Sequence, residues 1–329
     1  MKEKLQVQKM GMKQTIGLGF QQFGIFVVFA VLLIVLAILT PNFMTLTNLL
    51  NIFRQVTMIG IMSCGMTFVF AAGYVDLSVG SILSLSGVSS LSVTIATGSM
   101  PLGLLTGIGL GILFGMFNGF LIDRLDARLG TSFILTFGTM TMIGSVALII
   151  TNGHHVTNLQ NEAFLFIGKA QFGIISFPMI IWIAVVASLQ FFLTKSRSGR
   201  NICAIGANIT AAKLSGVNVP KYRLMVFMIN GGCAALAGIV YAARVGSCSP
   251  TAGAGYEMDA IAAVAIGGTS FAGGNGNVVK SLVGVLILGV LSNAMVMLNL
   301  TEFSKLIVKG GVVILAVYLD NLSRKQAAA

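Results

Sequence analysis

Long apolar runs separated by short polar segments dominate this chain, and most runs approach the roughly 20 residues that a helix needs to cross a bilayer. Hydropathy predicts about ten such spans. Their approximate bounds are 23–40, 58–73, 79–97, 102–122, 133–151, 174–193, 225–243, 260–272, 280–298 and 305–319. Two are short, 58–73 and 260–272, and Gly267 and Gly268 interrupt the second. The pattern predicts an all-α polytopic membrane protein.

The basic residues fall mostly in every second polar segment, which predicts how the chain lies in the membrane. With a cytoplasmic N-terminus and ten crossings, fifteen lysines and arginines lie in inside segments and four in outside segments. The 152–172 loop is then outside and the 194–224 loop inside. The predicted organisation is a cytoplasmic segment 1–22, a membrane domain 23–320 and a cytoplasmic tail 321–329.

Composition excludes a soluble domain, and in a membrane protein the positive net charge has an explanation other than nucleic-acid binding. Hydrophobic residues make up 56% of the chain and charged residues 9%, with a mean hydropathy of +0.95, whereas soluble domains carry about 25% charged residues. The net charge of +11 is explained by the basic inside segments, so no nucleic-acid partner is expected. The cysteines lack metal-ligand spacing and are interpreted as small apolar filler. They are Cys64, Cys203, Cys233 and Cys248.

Glycines recur every fourth residue in the fourth span. On a helix they form one smooth stripe that lets another helix approach closely. The stripe consists of Gly103, Gly107, Gly111, Gly115 and Gly119. It predicts tight helix packing or, alternatively, a surface that slides during a transport cycle.

Two related segments suggest an internal repeat. "GYVD" ends at Asp76 and "GYEMD" ends at Asp259, and each precedes a glycine-rich apolar stretch. Asp76 follows span two at the inner side, whereas Asp259 follows span seven at the outer side. The expected plan is a degenerate inverted repeat that relates spans 2–5 to spans 7–10, a common arrangement in transporters.

Asp76 is the only charged residue between Gln55 and Ile122. Because a charge at the bilayer centre is costly, the preferred interpretation is a helix N-cap near the inner interface, with Asp259 as its inverted counterpart. The alternative is a gate residue that pairs with a basic group in one state of a cycle.

Motifs for catalysis, metal binding or cofactor binding are not found. His154 and His155 are adjacent in a loop and lack a second ligand pair. "GGNGNVVKS" (273–281) resembles a phosphate-binding loop only in its final Lys-Ser, because Val279 replaces the glycine that this loop requires. We therefore expect a chain that is not an enzyme and carries neither metal nor cofactor.

The segment 194–223 carries six basic residues, no acidic residue and a short predicted helix. Asn208 is a favourable N-cap and Gly216 fits the position after the helix. A solvated loop explains the charges, but a docking partner explains the capped helix with an outward Leu214. The candidate docking residues are Asn208, Ala211, Ala212, Lys213, Leu214, Ser215 and Gly216.

Four longer segments resemble permeases of ribose-type sugar importers of the ATP-binding-cassette class. They are "GYVDLSVGSILSLSG", "AIGANITAAKLSGVNV", "PTAGAGYEMDAIAAVAIGGTSFAGGNG" and "LVGVLILGVLSNAMVML", and the resemblance runs from about residue 20 to 320. It implies a ten-span permease in the bacterial inner membrane, a second permease chain, ATPase subunits, a periplasmic or lipid-anchored sugar-binding protein, and coupling through the 208–216 helix. Tyr74 and Val75 depart from the usual "GGID" of the family.

A neutral sugar needs no buried counter-charge, so polar residues in or near the spans are the candidates for the path or gate. They are Asp76, Ser78, Asn118, Thr136, Tyr256, Asp259 and Asn293. Related permeases carry nucleosides or branched amino acids, which is the alternative within the class. An ion-coupled transporter is a second alternative, but it normally needs ionisable residues inside spans. Only Lys309 lies clearly inside one, and it is expected to snorkel to the interface.

Overall fold

The apolar runs form helices in the computed structural model, which describes residues 26–27, 29–40, 42–157, 160–301, 303–312, 314 and 318. The predicted terminal segments 1–22 and 321–329 lie outside the described residues. The helices are α1 Phe29–Leu39, α2 Leu46–Ala71, α3 Val79–Thr97, α4 Met100–Arg124, α5 Leu129–Thr151, α6 Glu162–Lys169, α7 Phe177–Lys195, α8 Arg197–Ala207, α9 Ile209–Leu214, α10 Val219–Val245, α11 Tyr256–Ile266, α12 Val278–Met297 and α13 303–312. The strands, each of two residues, are β1 Val156–Thr157, β2 Gln171–Phe172, β3 Ile175–Ser176 and β4 Ser247–Cys248.

Seven of these helices are long and apolar enough to cross a membrane: α2, α3, α4, α5, α7, α10 and α12. The protein is a helical, multi-pass membrane protein, but the predicted count of ten spans is not confirmed. The first and last predicted spans, 23–40 and 305–319, extend beyond the described residues. The predicted span 260–272 is instead α11, whose 11 residues measure about 16 Å, too short for a core of about 30 Å.

The second predicted span begins earlier than expected. α2 starts at Leu46 rather than at residue 58, because Thr45 accepts a hydrogen bond from the backbone N–H of Asn48 and so caps the helix. The polar residues Asn51 and Arg54 lower the hydropathy of the first turns without preventing the helix. α2 therefore has 26 residues and is long enough to cross the whole hydrocarbon layer.

The glycine stripe of α4 lies against α3 and α10. Gly103 and Gly107 face α3, and a Cβ on Gly107 would stand 3.0 Å from the carbonyl oxygen of Ser86. Further along, Gly111, Gly115 and Gly119 face the backbone of α10. Because Gly107 lies near the end of α10 and Gly119 near its start, α4 and α10 are antiparallel and touch along most of their length.

One end of the molecule carries α8 and α9, and we call it the α9 end. The end of α2 reaches it, because the carbonyl oxygen of Ala71 accepts a hydrogen bond from Gly274 (2.9 Å) and lies against Gly206. The opposite end carries the 152–176 connection, where β1 pairs antiparallel with β4, Val156 opposite Cys248.

Candidate functional site

The connection between α2 and α3 is an irregular segment, residues 72–78, that holds a buried carboxylate. Asp76 is fully buried. Its Oδ1 accepts hydrogen bonds from the backbone N–H (2.9 Å) and the hydroxyl (2.6 Å) of Ser78, and its Oδ2 accepts one from the amide of Asn230 (2.9 Å). The Ser78 hydroxyl in turn accepts a hydrogen bond from the amide of Asn118 (2.7 Å). We call these four residues the Asp76 cluster; it joins this segment to α4 and α10.

Side chains of α5 satisfy the backbone of the same segment. The N–H of Val75 donates to the Ser132 hydroxyl (3.2 Å), and the N–H of Leu77 donates to the Thr136 hydroxyl (3.1 Å). An irregular backbone in a membrane survives only where protein groups replace the missing helical partners. Thr136, predicted as a path residue, therefore supports the segment that carries Asp76.

The Asp76 cluster lies deeper than the interface position expected from the sequence. Asn230 is seven residues along α10 from Arg223, which lies at the α9 end, and this separation corresponds to about 10 Å. The N-cap interpretation is also wrong, because Ser78 occupies the N-cap position of α3 and Asp76 bonds to Ser78 itself. Asp259 is likewise not a cap: it lies inside the first turn of α11, whose N-cap position is Gly255.

Above the Asp76 cluster, at the α9 end, Arg223 forms a buried ionic cluster that the sequence did not reveal. Its side chain is 3% exposed, and the guanidinium donates to Asp123 (2.9 Å) and Asp126 (2.6 Å), which flank the end of α4. The Nε donates to the hydroxyl of Tyr74 (2.8 Å). Because Tyr74 is two residues before Asp76, the start of α10 is tied directly to the irregular segment.

The Arg223 guanidinium holds the pKa of the Asp126 carboxyl below its usual range through its hydrogen bond and charge. A lowered native pKa stabilises the fold at pH values above the ordinary carboxyl pKa, and this contribution disappears as the pH falls through the lowered value. Since the Asp126 side chain is 66% exposed, solvent weakens the effect. At neutral pH the Arg223–Asp126 pair is therefore intact.

The short helix α9 has the predicted caps. The Asn208 side chain accepts a hydrogen bond from the backbone N–H of Ala211 (3.0 Å), and Gly216 adopts a positive φ of 80° after the helix. Ala212 is buried, whereas Leu214 is 85% exposed. A leucine exposed at the tip of a capped helix is a suitable contact for a partner protein.

A second polar site lies away from the α9 end. Lys309 of α13 forms an ion pair with Asp259 of α11 at 2.8 Å, so the expectation that Lys309 snorkels to the interface is wrong. The pair lines a cavity of about 350 Å³ together with Tyr256. A larger groove of about 830 Å³ runs between α4, α7 and α10, but its walls are mainly apolar and it contains none of the predicted path residues.

The predicted path residues thus occupy three places. Asp76, Ser78, Asn118 and Thr136 lie together around the irregular segment, and Tyr256 and Asp259 line the cavity. Asn293 is elsewhere: it forms a reciprocal amide pair with Asn48 of α2, with distances of 3.0 and 2.9 Å. Asn230 and Ser132 were not among the predicted site residues, and only their polarity within apolar runs could have indicated them.

The family described as the branched-chain amino acid transport system / permease component matches residues 48–317. The ribose import permease protein of Bacillus subtilis (strain 168) is 40% identical over 309 residues, 94% of each chain. The L-arabinose transport system permease protein of Escherichia coli (strain K12) is 38% identical over 309 residues, 93% of this chain and 92% of the relative. The ribose import permease protein of the same strain is 39% identical over 88% of this chain and 91% of the relative. No solved structure matches the chain.

Proposed function

We propose that this chain, which belongs to the family of branched-chain amino acid transport system permease components, is the membrane permease subunit of an ATP-binding-cassette importer for a sugar. The support is the resemblance to ribose and arabinose permeases over almost the whole length of both chains. The chain itself is not an enzyme, and ATP hydrolysis belongs to a separate ATPase.

α9 is the proposed docking site for that ATPase. Docking would bury Leu214 in an apolar contact, while the caps at Asn208 and Gly216 keep the helix formed before the partner binds. The basic residues of the surrounding segment favour the cytoplasmic side for this end. Both termini would then be cytoplasmic, with ten crossings and an inverted repeat of spans 2–5 and 7–10. In this arrangement α11 is too short to cross alone, but the irregular segment 267–277 that follows it continues to the α9 end, where Gly274 donates to the carbonyl oxygen of Ala71.

The Arg223 cluster offers a route by which docking at α9 could act on the membrane core. A shift of α9 moves the start of α10, which follows it after four residues. Arg223 carries this movement to Tyr74 through the 2.8 Å hydrogen bond. The Asp76 cluster then responds because Asp76 follows Tyr74 in the same irregular segment. In this mechanism Asp76 is part of the gate, and ATP binding or release changes its position.

The other partners follow from the importer class. A sugar-binding protein would deliver the substrate at the opposite end, and a second permease chain, identical or different, would complete the path. The exact sugar depends largely on the binding protein.

The test is to purify the chain from its native membrane in mild detergent and reconstitute what copurifies, with its binding protein, in liposomes. Uptake of D-ribose and L-arabinose is compared with uptake of L-leucine and uridine, with and without ATP inside the vesicles. ATP-dependent uptake of a sugar and a copurified ATPase are expected. Uptake of leucine or uridine instead would show that the importer carries an amino acid or a nucleoside rather than a sugar. Uptake driven by an ion gradient without an ATPase would overturn the proposal.

A further inference from the structure

The cavity beside the Asp259–Lys309 pair lies in the half of the membrane domain away from the α9 end. Ser292, which lines it, is five residues before the end of α12, about 8 Å from that end. Arg244 lies in the last turn of α10. The other walls come from α2, α11 and α13. The cavity is therefore surrounded by several helices rather than built on one surface loop.

Four polar side chains of the cavity wall make no hydrogen bond within the described part of the chain. They are the amide of Gln55, the hydroxyls of Tyr241 and Tyr256, and the hydroxyl of Ser292. None of the four is sealed in the interior, since Gln55 is exposed and Tyr241, Tyr256 and Ser292 are half-buried, so each can reach a molecule in the cavity. Four uncommitted groups that surround one cavity are suited to a polar ligand.

The charged groups of the wall are already held in place. Asp259 and Lys309 neutralise each other at 2.8 Å, and Arg244 donates to the backbone carbonyl of Arg54 at 2.6 Å. A carboxylate with a cation beside it offers both acceptors and donors. The wall can thus satisfy hydroxyl groups, which both donate and accept, without requiring that the ligand carry a charge.

Size and shape restrict the ligand further. A volume of about 350 Å³ is near the lower end of the range for small-molecule pockets, roughly 300–1,000 Å³. The rings of Tyr241 and Tyr256 present flat apolar faces with polar tips, and Met58 and Leu288 add apolar wall. Such a combination accommodates a small molecule with hydroxyls at its edge and C–H groups on its faces.

We propose that this cavity is a transient binding site for a monosaccharide within the membrane domain, in which Gln55, Tyr241, Tyr256 and Ser292 bind the hydroxyl groups. The proposal rests on the proposed sugar import. The Asp259–Lys309 pair closes the wall on the side of α11 and α13 and keeps Asp259 oriented toward the cavity. Binding must be weak enough for the sugar to leave toward the α9 end.

Protection of a cysteine from labelling tests occupancy directly. Ser292→Cys is made in a chain without the four native cysteines, and the complete transporter is labelled with N-ethylmaleimide in proteoliposomes. The matched control is Ser188→Cys on α7, outside the cavity. Uptake of D-ribose and L-arabinose by each preparation is measured first, with sucrose as an osmotic control. We expect the imported sugar, at millimolar concentration, to slow labelling at position 292 at least fivefold and to leave position 188 unchanged.

If a sugar that the transporter imports leaves the rate of maleimide labelling at position 292 unchanged, the cavity is not a sugar-binding site. The proposed function would still stand. Import of neither sugar nor of any other monosaccharide by the cysteine-free parent chain, in which Ser292 is unchanged, would instead overturn the proposed function. If Ser292→Cys does not assemble, Gln55→Cys reports on the same wall.

Tyrosine variants provide an independent measurement. Tyr256→Phe removes one hydroxyl from the cavity, and Tyr222→Phe removes a hydroxyl that accepts from Asn201 near the α9 end. We expect sugar uptake per ATP hydrolysed to fall about fivefold in Tyr256→Phe, the size expected for one lost hydrogen bond, and to stay within twofold of the wild type in Tyr222→Phe. Equal values for both variants would contradict the assignment of Tyr256.

Discussion

Asp76 is held by side chains that lie far from it in the sequence. Within the described part of the chain its carboxylate has no basic partner, and Ser78 and Asn230 supply all its hydrogen bonds. The isolation of Asp76 in a long uncharged stretch made it a candidate from the sequence alone. Its partners could not be predicted, because Asn230 is 154 residues away and is one of several polar residues in the spans.

Substitution of Asp76 separates its structural role from a gating role. Asparagine keeps an oxygen for Ser78, and its amide can donate to the Asn230 oxygen, which has no partner in the described structure, after that side chain rotates. Leucine leaves the donors of Ser78 and Asn230 unpaired, a cost of about 2–5 kcal/mol. We expect thermal unfolding in detergent to show near-normal stability for Asp76→Asn and marked loss for Asp76→Leu.

Uptake assays on the same variants decide whether charge matters. If Asp76→Asn folds and imports sugar, the residue is mainly structural. A folded Asp76→Asn variant that imports nothing would support the gate. Equal stability of Asp76→Leu and the wild type would show that the hydrogen-bond cluster contributes little.

At the scale of helices, hydropathy predicted where most elements lie, and it failed where packing or capping overrides composition. α3 matches its predicted bounds, because an apolar run between turn residues determines both ends. α11 is shorter than expected, since Gly267 ends it. The Lys309–Asp259 pair was missed because it joins α13 to α11 and depends on tertiary contact.

Glycine substitutions on α4 test whether the stripe is needed for close packing. A Cβ on Gly115 would overlap the carbonyl oxygen of Phe227, whereas a Cβ on Gly109, on another face of the same helix, meets nothing within 4 Å. We expect Gly115→Ala to cost about 1–3 kcal/mol through overpacking and Gly109→Ala to be neutral or slightly stabilising. Thermal unfolding of the two purified variants measures the difference, and equal melting temperatures would argue against the contact.

The role of α9 is tested by a charge at its tip. Leu214→Asp should leave membrane insertion intact, because the side chain is 85% exposed at the end of a loop helix. It should abolish ATPase docking by burying a carboxylate in an apolar contact. Leu125→Asp, which adds the same charge at another exposed leucine of the α9 end, is the control. If the ATPase still copurifies with the Leu214→Asp variant and sugar uptake is undiminished, the ATPase docks at another part of the chain.

For the whole molecule, the sequence predicted a multi-pass helical membrane protein of the permease class. The proposed orientation depends on the distribution of basic residues. It places the α9 end in the cytoplasm and the 152–176 connection outside.

Single-cysteine labelling measures this orientation in a chain without the native cysteines. Thr210→Cys in α9 should react with an impermeant maleimide only after the cells are permeabilised. His154→Cys in the opposite connection should react in intact cells, because His154 is exposed there. Labelling of position 210 in intact cells would reverse the orientation.

The contact between α4 and α10 has a mechanical consequence. Gly111, Gly115 and Gly231 bring the two backbones together without intervening side chains, so neither helix can bend or rotate without the other. With 27 residues, α10 is about 40 Å long. The two helices should therefore move as one rigid unit. A displacement of the start of α10 should tilt the whole helix and so move Arg244, beside the cavity, without a local rearrangement there.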